Sequence, residues 1–218
     1  MKTPPELEPI RRAILVAALK RVPFEGWSMG CLHGAAEDAG HDPSMARRAF
    51  PRGIADLLAF FMAEGDRRMS EALAGTDLSV MRIRDRIAYC VRARLDYHAD
   101  HRDAARRALA LQATPQHAPA ALAGLCRTTD AMWRAAGDTA TDFNYYTKRG
   151  LLAGVYGATL LYWLGDKSED SAATWAFLDR RIADVMRIQK FRGRLDKRFA
   201  GFEPALGHLL RRFAAPSG

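Results

Sequence analysis

Features that would settle the chemistry of this chain at once are scarce. Only three cysteines, Cys31, Cys90 and Cys126, occur in 218 residues. They stand far apart, in no CxxC or Cys/His spacing, which argues against a disulfide framework or a zinc site and for buried or free thiols in a reducing compartment. No phosphate loop, GxGxxG turn, Gly-x-Ser-x-Gly elbow or Glu-x-x-His pair is present. No residue is therefore nominated as nucleophile, base or metal ligand, and neither a cofactor nor catalysis is expected. Glycine (17) and proline (10) are not enriched and no repeat or low-complexity tract occurs, which excludes the fibrous and disordered classes. The longest uncharged run, 150–165, is shorter than the roughly 20 residues of a membrane-spanning helix and reads as a buried one. The first residues, Met1-Lys2-Thr3-Pro4-Pro5-Glu6-Leu7-Glu8, are acidic and lack an apolar stretch, unlike a secretory or mitochondrial import signal. On that basis a cytoplasmic protein of a bacterium is expected, and the C-terminal segment described below adds a peripheral place on its inner membrane.

What is present points to helices. Hydrophobic residues make up 49% of the chain, enough for one core shared by a smaller and a larger lobe. Apolar residues recur at steps of three and four almost everywhere, and strand-like alternation is missing. Ile10, Ile14 and Ala17 or Ala18 mark a first helix, stopped by Pro23 and Gly26. Ser28 caps a second, ended by Gly40. Asp42-Pro43 opens a very short third, to Phe50. A fourth runs over 54–73. Further helices are expected over 79–98, 103–112, 118–136, 141–164 and 169–189, with a last segment from 190 to 213. The fold class is all-α, divided into 1–52, 53–189 and 190–218. His98 and His101, with Asp96, Asp100 and Asp103, form the one metal-like group and read as a solvated polar face. The formal charge of +8 favours nucleic acid, an anionic membrane or an acidic partner.

Helices two and three meet at the tight turn Gly40-His41-Asp42, as in a helix-turn-helix. The stretch Ala35-Ala36-Glu37-Asp38-Ala39-Gly40, with Phe50 beyond it, resembles the TetR repressors. Where such recognition helices carry a tyrosine, a Tyr-Phe pair and a following lysine, Arg47, Ala49 and Gly53 stand here. Arg47, Arg48 and Arg52 suit phosphates better than base edges, so no specific DNA site is expected.

The segment from Trp133 to Met186 is the most telling. It reads Trp133, Ala136-Gly137-Asp138, Asp142-Phe143-Asn144-Tyr145-Tyr146-Thr147-Lys148-Arg149, then Thr174-Trp175-Ala176-Phe177-Leu178. Together with Ala17-Ala18-Leu19, Val22-Pro23, Gly26-Trp27 and Phe50-Pro51, it resembles the Coq-nine family of ubiquinone-biosynthesis accessory proteins, over essentially the whole chain. Tyr145 replaces the family's usual tryptophan. The resemblance implies a TetR-like homodimer that has given up gene regulation. It implies binding of an isoprenoid or quinone lipid in the C-terminal lobe, support of a ubiquinone-pathway hydroxylase, and membrane association through a C-terminal amphipathic helix.

Three sets of site residues follow. Leu151, Leu152, Val155, Tyr156, Thr159, Leu160 and Trp163 share one helix, and Gly150, Gly154 and Gly157 leave room beside it for a neighbouring helix or a ligand. The resemblance favours a ligand, with Trp133, Leu152, Val155, Tyr156, Thr159, Leu160 and Trp163 as lipid-binding residues. Asp142, Asn144, Tyr145, Tyr146, Lys148 and Arg149 gather at the start of that helix. Capping and packing would account for them, and with the resemblance they are expected to dock the hydroxylase. Phe191, Leu195, Phe199, Phe202, Leu206, Leu209, Leu210 and Phe213 fall within an arc of about 100° on a helical wheel. Lys190, Arg194, Lys197, Arg198, Arg211 and Arg212 lie largely off it, the pattern of a basic helix on an anionic membrane surface, kinked at Pro204. A terminal helix docked on the protein's own core has the same pattern. The expected function is non-enzymatic binding of an isoprenoid or quinone precursor at the membrane and its presentation to a hydroxylase. The alternative is a ligand-responsive, DNA-binding regulator of the TetR type.

Overall fold

The computed structural model describes residues 4–137 and 143–200, with no strand among them. Helix α1, Glu8–Glu25, buries Ile14, Leu15, Ala18, Leu19 and Val22, two rows at i and i+4. It runs past Pro23, where a stop was expected. Pro23 stands in the last turn, where its missing amide removes one bond only, and Gly26 at φ +67° ends the helix with its N–H on the Val22 carbonyl at 2.9 Å. Helix α2, Met29–Asp38, is capped by the Ser28 hydroxyl, which accepts from the Cys31 amide. Asp42 caps α3, Pro43–Ala49, accepting from the Ser44 amide at 2.7 Å. Gly40, at φ +77°, makes the turn between them.

Helix α4, Ile54–Ala74, is the shared spine, burying Leu57, Leu58, Phe60, Phe61, Met69 and Leu73. Helix α5, Ile83–Asp96, starts four residues later than its sequence predicts. Asp77 accepts from the Ser79 amide at 2.9 Å and hydroxyl at 2.6 Å, so Ser79 closes a local turn in place of capping the helix. Helices α6, Arg102–Gln112, and α7, Ala118–Ala135, follow. Then come the central α8, Phe143–Gly165, and α9, Ala172–Ala200. Helix α9 is continuous through residues 189 and 190, where a new segment was expected.

The small N-terminal lobe, α1–α3, is pinned to the rest by Trp27. Its Nε1–H donates to the Ala104 carbonyl at 3.0 Å and its ring lies 5.3 Å from that of Phe61. The end of α8 is held from α6: Arg106 donates to the Leu164 carbonyl at 2.6 Å and Arg102 to the Asp166 carbonyl at 2.7 Å. Two cations thus meet the negative end of the helix dipole.

Candidate functional site

An apolar cavity of about 510 Å³ lies in the larger lobe, within the usual range of small-molecule sites, roughly 300–1,000 Å³. Leu58 and Met62 of α4, Leu109 of α6, Leu125 of α7 and Tyr156 and Leu160 of α8 supply its walls. The space exists because the facing residues are small. Ala118, Ala121 and Gly124 line it from α7, and Gly157 from α8, where an added Cβ would meet nothing within 4 Å. Gln112, His117 and Arg127 are the polar residues nearer solvent.

One end is polar and deeply buried. Arg94, 2% exposed, donates from Nε to Asp66 Oδ1 at 2.7 Å, from Nη1 to the Tyr156 hydroxyl at 2.6 Å, and from Nη2 to the Met62 carbonyl at 3.3 Å. Thr128 donates to both Asp66 oxygens, at 2.8 and 3.0 Å. His98 Nε2 lies 3.3 Å from Arg94 Nη1. Burial, reinforced by the positive charge of Arg94 and by His101, holds the His98 pKa well below 6.5, so the ring is neutral. Burial likewise raises the Tyr156 phenol above its ordinary value.

His98 is a correction to the expected solvated polar face. It is 1% exposed and packs edge-on against Phe61, with ring centroids 4.7 Å apart. Helix α5 ends at Asp96 and a single 3-10 turn, Ala99–His101, follows, so helical periodicity does not carry across these residues and His98 turns inward. Among the described residues no group of three or more His, Cys, Asp or Glu is placed to hold a metal.

Of the residues expected to bind lipid, Tyr156 and Leu160 line the cavity. Leu152, Val155, Thr159 and Trp163 are buried but do not line it. Thr159 donates to the Val155 carbonyl at 2.7 Å, and Arg102 stacks 4.3 Å over the Trp163 ring. Trp133 donates from Nε1 to the Lys148 carbonyl at 3.0 Å, and the Lys148 ammonium sits 5.6 Å from its ring centroid. Arg149, its side chain 11% exposed, pairs with Asp130 of α7 at 2.7 Å. Asp142 lies outside the described residues, as do the side chains of Asn144, Tyr145 and Tyr146. The side chains of Phe191, Leu195 and Phe199 also lie outside them, as do Phe202, Leu206, Leu209, Leu210 and Phe213 altogether. The walls from α4, α6 and α7 escaped the sequence reading because their leucines and methionine are spaced like any core stripe. The small residues of α7 were the available signal.

In the N-terminal lobe, Arg47 and Arg48 of the seven-residue α3 are exposed. Arg52 is engaged by Asp56, with Nε at 2.8 Å from Oδ1.

This architecture is that of the TetR-like helical proteins. The crystal structure of the TetR transcriptional regulator from Nitrosomonas europaea matches with a TM-score of 0.68 over 81% of this chain and 97% of that one, at 21% identity. Within that class the chain belongs to the COQ9 family. The COQ9 family model matches residues 118–189, the segment that carries α7, α8 and α9 as far as residue 189. Similar proteins include the mitochondrial ubiquinone biosynthesis protein COQ9 of Drosophila melanogaster, 35% identical over 84% of this chain and 57% of that one. The proteins of the same name from Rattus norvegicus (35%, 83% and 60%) and Homo sapiens (32%, 83% and 59%) are also similar. The chain thus spans less than two thirds of the length of these relatives. They also overturn the expected bacterial plasma-membrane location, since they are mitochondrial proteins of eukaryotes. That expectation rested on the composition of Met1 to Glu8, and targeting is read from segments that a fold does not contain.

Proposed function

We propose that this chain is an accessory protein of ubiquinone biosynthesis that binds an isoprenoid or quinone lipid and presents it to a hydroxylase at a membrane surface. Its contribution is binding, not catalysis. One observation carries the reading: an apolar cavity of about 510 Å³ opens between α4, α6, α7 and α8, with its α7 and α8 walls in the segment that the COQ9 model matches. An apolar tail would replace water along the apolar walls. A polyisoprenoid cannot move through water unaided, so a covered carrier site offsets the cost of its exposure.

The hydroxylase would dock at the start of α8, on Asp142, Asn144, Tyr145 and Tyr146. Lys148 and Arg149 would serve that surface from behind, through Trp133 and Asp130. The basic apolar arc from Phe191 to Phe213 would hold the protein on an anionic membrane, and two copies would pair as a homodimer. Among the described residues no helix is long and apolar enough to cross a membrane.

The test is mass spectrometry of lipid extracted from the protein purified without detergent. Isoprenoid or quinone species in stoichiometric amount are expected. Replacing Gly157 and Ala121 with leucine should fill the cavity and remove them. Recovery of the same lipids from the filled variant, or of none from the wild type, would count against the reading.

A further inference from the structure

We infer that the loop between α4 and α5, residues 75–82, together with the first turn of α5 is a second contact with an anionic membrane surface. Val80 and Ile83 enter the bilayer interface there, and Arg82 and Arg84 meet lipid phosphates. The inference rests on the membrane-surface reading of the proposed function and adds to it a second contact and an orientation of the fold.

The loop is built to hold Val80 out. Asp77 fixes Ser79 through its amide and hydroxyl, and the Met81 amide donates to the Leu78 carbonyl at 3.1 Å. Leu78 packs on the core. Arg86 donates to the carbonyls of Ser79 at 3.1 Å, Met81 at 2.9 Å and Ala136 at 3.0 Å, which ties the loop to itself and to the end of α7. On this fixed turn Val80 is 80% exposed, and Ile83, the first residue of α5, 44%. Arg82 and Arg84 flank Ile83, mostly exposed, and share the single carboxylate of Asp85, which leaves one positive charge in excess. One exposed valine would need no cover. Two apolar side chains set among cations on a shaped loop match the two layers of an anionic interface, where methyl groups leave water and guanidinium groups meet phosphate.

Topology favours a membrane over an acidic protein as the partner. Helix α4 has 21 residues, so its far end stands about 30 Å from its start beside the N-terminal lobe. Arg86 holds the end of α7 at that far end, and Trp133 of α7 bonds the Lys148 carbonyl near the start of α8. From the turn at Asp166, α9 returns antiparallel to α8, with Phe177 stacked on Tyr162. With 29 residues against 23, it comes back to the level at which α8 begins. Its closing part, 187–200, carries six lysines and arginines against one aspartate and leads into the apolar residues Phe202 to Phe213. The loop therefore shares one end of the molecule with the segment proposed to lie on the membrane. A plane touching both leaves α4, α8 and α9 standing on the bilayer and the N-terminal lobe on the far side.

The experiment uses the full chain with Cys126→Ser, since Cys31 and Cys90 are buried and escape labelling. An environment-sensitive fluorophore, NBD, is attached at Val80→Cys, or at Arg48→Cys in the N-terminal lobe as the control. Vesicles are made of phosphatidylcholine alone or of equal parts phosphatidylcholine and phosphatidylglycerol, each with and without a doxyl-labelled lipid. With the anionic vesicles the label at 80 should shift to the blue and be quenched by the doxyl group, while the label at 48 stays unchanged. In the otherwise native chain, Arg82→Glu with Arg84→Glu should weaken vesicle binding about ten-fold in flotation. Circular dichroism should stay as in the wild type, because both side chains are largely exposed. Vesicle binding with an unquenched label at 80, equal quenching at 48, or undiminished binding of the charge-reversed variant would overturn the inference and leave the C-terminal membrane reading standing. A label at 80 that shifts only when the ubiquinone-pathway hydroxylase is added would give the loop to a protein and overturn it as well. No binding of the wild type to anionic vesicles would overturn the membrane reading and this inference together.

Discussion

Single residues at the cavity end govern stability. With its pKa held well below 6.5, His98 stays neutral in the folded protein, while in the unfolded chain it takes up a proton below about 6.5. The unfolded state then binds more protons, so stability falls as pH drops through that value, by up to about 1.4 kcal/mol per pH unit. Urea unfolding at pH 7, 6 and 5 should show a loss of about 2 kcal/mol by pH 5 that His98→Gln abolishes. Below that range other groups add their own losses, because Arg67 holds the Glu64 carboxyl under its ordinary value. An equal slope in wild type and variant would mean that another group titrates. Gly65 faces the same ring. Alanine in a helix normally gains up to about 1 kcal/mol over glycine. Here its Cβ would press on His98 at 3.0 Å, and the clamped ring cannot move away. Gly65→Ala should therefore destabilise by about 1–3 kcal/mol in thermal unfolding, and a stabilised variant would show that the ring has room.

At the scale of elements, the junction of α8 and α9 ties Thr174, Trp175 and Phe177, which carry the family resemblance, to the turn that precedes them and to α8. Asp166 accepts from the Ser168 amide at 2.8 Å and from the Thr174 amide at 2.9 Å and hydroxyl at 2.5 Å. Trp175 donates to the Asp170 carbonyl at 2.8 Å, and Phe177 stacks on Tyr162 with ring centroids 4.5 Å apart. Thr174 is fully buried, so Thr174→Val keeps the shape and loses one hydrogen bond. It should cost about 1 kcal/mol and lower Tm by roughly 2–4 °C in a chain of this size. A Tm within experimental error of wild type would assign the motif to something other than the fold. The turn at Gly165-Asp166-Lys167-Ser168 was legible because short polar residues close local hydrogen bonds. The start of α5 was not, because the same chemistry at Asp77 and Ser79 serves a turn or a cap equally well.

For the whole molecule the question is what a surface of formal charge +8 meets. An apolar stripe like that of Phe191 to Phe213 must be covered by core, partner or bilayer. If the cover is a bilayer, co-flotation with vesicles should rise with anionic lipid and weaken with salt, since lysine and arginine act through a screened surface potential. Phe199→Ser with Phe202→Ser should release the protein while circular dichroism stays nearly unchanged. Undiminished flotation of that variant would remove the segment from membrane binding, and loss of helicity would place the stripe in the core. Weak, salt-sensitive DNA binding without a preferred site is the matching expectation for the N-terminal lobe, where Arg47 and Arg48 are exposed and Arg52 is engaged by Asp56. Selection of a defined palindrome at physiological salt would contradict it.

The sequence by itself determined the all-helical class, the caps at Ser28 and Asp42, the turn after Gly165 and the family, because these depend on local periodicity, short-range hydrogen bonds and ordered motifs. It could not say which face of α8 meets the cavity. Tyr156 and Leu160 line it while Leu152, Val155, Thr159 and Trp163 pack elsewhere, and all six read as one apolar face. Nor could it bring Asp66, Arg94, Thr128 and Tyr156 together, since they are drawn from α4, α5, α7 and α8. His98 shows the reason most plainly. In sequence it belongs to a run of charged and polar residues, and only the break in helix geometry after Asp96 and the gap left by Gly65 turn it into the core. Periodicity records that a side chain is apolar or polar, but what it faces is set by how the helices cross, and that is decided by packing across the whole lobe.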